Sequence, residues 1–169
     1  MCIRDRDNSE DIDLSDSITK VLQHPTVSSK SFLITIGDRT VSGMVARDQL
    51  VGPYQVPVSD YSLSLRSYTS NNGEVLSIGE KPTIALINPA ASMRMALGEA
   101  LTNMSGVVIK GLNNVQVSAN WMAASGENSD DFALRSGVEA LSKIAVDLKV
   151  SIPCLLYTSP SPRDIRRSR

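Results

Sequence analysis

Residues 88–106, NPAASMRMALGEALTNMSG, carry their own start and stop signals and restrict the fold more than any other stretch of the chain. Asn88 is placed to cap a helix, and Pro89 suits the first helical position, where its missing N–H costs nothing. Ala90, Met93, Leu97, Leu101 and Met104 then follow three-four spacing, and Gly106 sits where such a helix would stop. A helix with one apolar stripe must bury it against a second layer. Residues 130–148 supply a second long helix, with Leu134, Val138, Leu141 and Ala145 on the inward side.

The remaining segments supply strands and one short helix. DIDLSDSITKVLQHP (residues 11–25) places Leu14, Ile18, Val21 and Leu22 at helical spacing, with Ser15 or Asp16 as candidate caps and Pro25 as the stop. KSFLITI (residues 30–36), stopped by Gly37-Asp38-Arg39, reads as a buried strand and turn. The glycines and prolines of residues 43–65 break the chain into a loop and then a strand beginning near Gln55. Residues 73–79 and 112–119 read as further strands. Strands and helices alternate without an internal repeat, so the expected class is α+β (mixed α/β), a mixed sheet with flanking helices.

A hydrophobic content of 41% against 21% charged residues suits an ordinary soluble domain. Seventeen basic against eighteen acidic side chains leave a charge of −1, which recommends neither nucleic acid nor an anionic membrane as partner. No apolar run has the length of a membrane span, and MCIRDRDNSEDIDL lacks the apolar stretch of a secretory signal, so a cytoplasmic location is expected. The two ends look foreign to the middle. CLLYTSPSPRDIRRSR (residues 154–169) has no usable hydrophobic period, and MCIRDR (residues 1–6) repeats its Arg-Asp flavour. Both are expected to be non-native scars resembling adapter sequence translated with a shotgun read; the alternative is a natural disordered basic tail. Without their six arginines and two aspartates, eleven basic and sixteen acidic residues remain, a charge of −5. Both cysteines, Cys2 and Cys154, lie in these ends, so disulfide and zinc chemistry lose their material.

Phosphate-loop, dinucleotide, zinc-protease, redox-dithiol and nucleophile-elbow signatures are all missing. The single histidine, His24, precedes Pro25 at a helix end, where a capping or surface role outweighs general-base chemistry. The informative pair is Glu99 and Asn103, four apart and so stacked on one helix face. On a helical wheel they lie opposite Leu97 and Leu101, alongside Ser92, Met95, Ala96 and Thr102. This face is small and almost uncharged, which suits close approach of a ligand. A carboxylate with an amide carbonyl is also a hard-oxygen pair of the kind magnesium accepts. The competing reading is a solvated or helix-packing face. Asp60 continues the row Val56, Val58, Asp60 along one side of a strand, which would set a third oxygen at the end of an apolar surface.

At these residues the chain resembles a known family. KSFLITIGDRTVSGMVARDQLVGPYQVPVSD, GEKPTIALINPAASMRMALGEALTN and VSANWMAASGENSDD are similar to the large, single-chain form of phosphoribosylformylglycinamidine synthase, with the likeness running from about residue 12 to 153. The resemblance implies an ATP-dependent ligase of purine synthesis, using glutamine-derived ammonia to convert formylglycinamide ribonucleotide to its amidine. It implies that the chain covers a fragment of such an enzyme: a helical lead-in (residues 7–30) and an incomplete second module similar to aminoimidazole ribonucleotide synthetase (residues 31–153). The partners implied are the first synthetase module and the glutaminase domain. Carried over residue by residue, Asp60, Glu99 and Asn103 match magnesium ligands, Ser59 sits beside the nucleotide, and Lys30 matches a lysine near it. The implied cofactors are magnesium and ATP or ADP, and the nucleotide of this second module is implied to be a tightly held auxiliary ADP. Ser59 stands where alanine is usual, GEKP replaces GERTP, and the GENSDD loop is shorter than in relatives. A further aspartate ligand and a nucleotide-binding serine would lie beyond Pro153. No catalytic residue is expected in this segment, and by itself it is expected to be inactive. Two other readings stay open: another ATP-using synthetase of this superfamily, or a non-catalytic scaffold holding auxiliary ADP.

Overall fold

The computed structural model describes residues 13–158 apart from 30, 38, 41, 42, 125 and 127, with residues 155–158 described as backbone. The chain divides into two units, residues 1–41 and 42–169. The expectations for Lys30, for residues 1–6 and for residues 159–169 lie outside the described residues.

The described residues of the first unit form two helices. α1 (Leu14–Gln23) starts two to three residues earlier than expected, because Asp13 rather than Ser15 or Asp16 is its cap, accepting from the backbone N–H groups of Ser15 and Asp16. His24 closes it as C-cap, and its Nδ1 accepts from Thr26 N–H at 3.2 Å, a capping role. The strand expected over residues 30–36 is instead a helix, α2 (Ser31–Ile36), with Phe32, Leu33 and Ile36 exposed. A six-residue apolar run is too short for its period to separate the two states. Here its backbone closes locally, and the Thr35 hydroxyl donates back to the carbonyls of Ser31 and Phe32.

The second unit contains a three-stranded antiparallel sheet in the order β1 (Val45–Arg47), β2 (Tyr61–Leu65), β3 (Gly73–Ser77). Between β1 and β2 the strand expected from Gln55 does not form. Gln55 has a φ of +52° and donates its N–H to the Gly52 carbonyl in a turn, while Pro57 has no N–H to give. Only an isolated bridge joins Leu50 to Val58, so Val56 and Val58 stay exposed and the row that was to lead to Asp60 is absent.

After β3 come a short helix, α3 (Pro82–Ala85), and the long α4 (Pro89–Asn103). The Asn88 side chain accepts from Ala91 N–H, and Pro89 occupies the first turn, as the sequence predicts. A 3-10 turn over Met104–Gly106 ends the segment at the expected glycine. Residues 112–114 form a second such turn rather than the start of a strand, and β4 runs Gln116–Met122. α5 (Asn128–Leu148) follows and packs on α4, burying Gly137, Leu141 and Ala145. β5 (Ser151–Thr158) pairs parallel to β4 and so continues past Pro153. The buried apolar side chains are Leu50, Leu97, Met104, Leu141, Ala145 and Val150. Between the helices and β4, Trp121 Nε1 donates to Met93 Sδ at 3.0 Å, and a Cβ added at Gly137 would touch Met93 at 3.1 Å.

Candidate functional site

The residues following β3 cross the face of α4 that the sequence offers to a ligand. Ser77 Oγ donates to the Ala100 carbonyl at 2.7 Å, and Asn103 Nδ2 donates to the Ile78 carbonyl at 3.0 Å. Gly79 then lies against the helix backbone: an added Cβ would overlap the Ala96 carbonyl oxygen and stand 2.7 Å from Ala100 N. Glu80 N–H donates to Glu99 Oε2 at 2.9 Å, and Lys81 Nζ donates to Glu99 Oε1 at 2.5 Å. The fully buried Ser92 hydroxyl donates to the Lys81 carbonyl at 2.7 Å. Ser92, Ala96, Glu99, Ala100 and Asn103 recur at helical spacing, so one face of α4 holds the whole strap 77–81.

This geometry fills the helix-packing reading of that face. Small residues at 92, 96 and 100 admit the chain's own backbone, and only Met95 and Thr102, at the rim, stay exposed. Glu99 and Asn103 do meet, on one four-residue segment. Asp60 immediately precedes β2 and Ile78 immediately follows β3, at the end of the ladder where Tyr61 pairs with Ser77; no bond joins Asp60 to Glu99 or Asn103 among the described residues. Asp60 is exposed and makes no ion pair among the described residues. Ser59 is tied into its own turn, with Oγ donating to the Tyr61 carbonyl at 2.7 Å and N–H donating to Gln49 O.

Tyr61 anchors the sheet beside this site. Its hydroxyl accepts from Arg47 Nη2 at 2.9 Å and donates to the Gly106 carbonyl at 3.4 Å. A Cβ at Gly106 would come within 2.8 Å of the ring. The 3-10 turn after α4, β1 and β2 therefore meet at one phenol.

A family model, the FGAR-AT PurM N-like domain, matches residues 29–155, about three quarters of the chain. The chain belongs to this family. As an FGAR-AT PurM N-like domain it has the expected α+β class, and its likeness to the formylglycinamide ribonucleotide amidotransferase region rests on most of its length. None of its described helices is long and apolar enough to cross a membrane.

Glu99 and Asn103 carry the oxygen donors of this face. Lys81, followed by the Glu80 N–H, holds the Glu99 carboxyl below its ordinary 4.5. Asn103 spends its Nδ2 on Ile78, which leaves its amide oxygen as the atom able to serve a cation. Among the described residues no three His, Cys, Asp or Glu side chains cluster to hold a metal ion.

Lys81 and Glu80 were not legible as site residues, and Ser92 was legible only as a small member of the face. A lysine eighteen positions before a glutamate gives no sequence signal. The recoverable signal was Gly79 between a strand and Pro82, opposite small residues at 96 and 100. Because the Glu99 pKa is depressed in the fold, its contribution to stability is present above the unfolded value and is lost as pH falls through the lower folded one. Acid unfolding of Lys81→Met is therefore expected to begin at higher pH than that of the parent chain, read by circular dichroism from pH 6 to 2. Coincident acid limbs would contradict the pairing.

Proposed function

We propose that the chain is part of an ATP-dependent, glutamine-using ligase that converts formylglycinamide ribonucleotide to its amidine in the cytoplasm, and that this segment contributes magnesium and nucleotide ligands. The family match supports the parent enzyme, and Glu99 one helical turn from Asn103 on the face of α4 that the strap crosses supports the ligand role. Magnesium, when bound, offsets the charge of nucleotide phosphates. Asp60, Glu99 and Asn103 would hold it, with Ser59 beside the nucleotide. The first synthetase module and the glutaminase domain would be the partners in the parent chain.

The role of this segment in the proposal is to hold and orient the nucleotide, and the ADP form fits an auxiliary site. The parent enzyme, purified without added nucleotide, is expected to retain magnesium and ADP, and Glu99→Ala to release both, measured by metal analysis and by chromatography of the denatured supernatant. Equal nucleotide content in the two proteins would overturn the ligand assignment.

A second reading draws on the Lys81–Glu99 pair. Both side chains are only about one-third exposed, at 30% and 33%, and they close the strap without any ligand, so Glu99 would serve the scaffold alone. In that case Glu99→Ala lowers stability and leaves the nucleotide in place.

A further inference from the structure

Both oxygens of Glu99 already have a partner within the chain, and one of those partners is a cation. Nζ of Lys81 sits 2.5 Å from Oε1, while Oε2 accepts from Glu80 N–H at 2.9 Å. A divalent ion approaching Oε1 meets an ammonium at the same oxygen, and two like charges at one carboxylate repel. Taking the magnesium reading above as its basis, we propose that Lys81 is a built-in competitor for the cation at Glu99: it neutralises the carboxylate in the metal-free chain and is displaced when the divalent ion binds.

The surroundings decide which part moves. The Lys81 carbonyl is fixed by the buried Ser92 hydroxyl at 2.7 Å and also accepts from Ala85 N–H at 3.3 Å. Two residues earlier, Gly79 is wedged on the Ala96 carbonyl and Ala100 N. Neither anchor uses Glu99, so the strap backbone keeps its place when the ion pair opens. The lysine stem has four rotatable carbons and a compact charge, and its head can swing to water, or to a ligand phosphate, at the cost of one ion pair. The Glu80 N–H, fixed by the same backbone, continues to orient the carboxylate. Displacement is thus a side-chain exchange rather than a melting of the segment.

Two measurements on the full chain with magnesium chloride test this. In the first, surface lysines are acetylated with a short reagent pulse and read by mass spectrometry. The Lys81 rate is expected to rise severalfold on adding magnesium, while Lys143, exposed on α5, stays unchanged. The second is calorimetric titration of Lys81→Met, expected to bind magnesium about tenfold more tightly than the parent chain, within the usual range of coupling between two ligands. Lys81→Arg, which keeps the charge, should restore the weaker binding. Magnesium binding with unchanged Lys81 labelling and equal affinity in Lys81→Met would overturn the competitor role and leave the ligand assignment standing. No magnesium binding in any of the chains would overturn that assignment, and the competitor role with it.

Discussion

Gly79→Ala is expected to destabilise the chain by about 3 kcal/mol or more, a large part of the 5–15 kcal/mol that holds a typical domain together. The added methyl would overlap the Ala96 carbonyl oxygen and stand 2.7 Å from Ala100 N. Both are backbone atoms in the middle of α4, so no side-chain rotation relieves the clash. Either the strap lifts, losing the bonds to Glu99, Asn103 and Ser92, or the helix bends. Gly98→Ala is the matched control. It lies in the interior of the same helix, an added Cβ there meets nothing within 4 Å, and helix propensity favours alanine by about 1 kcal/mol. Urea unfolding followed by circular dichroism should move the two midpoints in opposite directions. A Gly79→Ala midpoint at or above that of the parent chain would show that the strap does not lie on α4.

The elements legible in the sequence are those whose signals are local. Asn88 and Pro89 fix the start of α4 through one side-chain bond and one preset φ, neither of which depends on the rest of the fold. Leu141 and Ala145 keep one face across a helix long enough for the 3.6-residue period to be unambiguous. β3, short and closed by glycines, is likewise found where its composition sets it. Residues 30–36 failed because a six-residue apolar run satisfies both periods, and what decides between them is the hydrogen-bond partner, which sequence does not contain. The segment 55–60 failed for a different reason: Gln55 adopts a positive φ that no β-branched alternation reveals, and the pleat needed to carry Val56, Val58 and Asp60 on one side is broken before it begins.

The site was legible as a face and illegible as a contact. Helical spacing alone puts Glu99 and Asn103 together, and the scarcity of charge around them marks a surface that something approaches closely. What approaches is the chain itself: Ile78, Gly79, Glu80 and Lys81 lie where a ligand was one of the two expectations. Close backbone approach and ligand approach select the same small residues, so composition cannot separate them. Glu99 fits either use, because its ion pair with Lys81 and its bond from the Glu80 N–H close the strap onto α4 without a ligand.

Leu141→Ala is expected to cost about 3 kcal/mol, within the range measured when a buried leucine leaves a partly collapsed cavity. Leu141 is 5% exposed on the face that α5 turns to the core, between buried Gly137 and Ala145. A rigid pair of packed helices can close only part of the space left behind. Val146→Ala on the same helix is the control: Val146 is 73% exposed, so truncation removes little buried surface, and the better helix propensity of alanine offsets the rest. The larger consequence concerns the site. Leu141 shares no partner with Glu99, whose bonds run to Glu80 and Lys81. Losses from Leu141→Ala and Glu99→Gln should therefore add to within about 0.5 kcal/mol in the double variant. A clear departure from additivity in urea midpoints would mean that the helix pair and the strap are one cooperative packing unit.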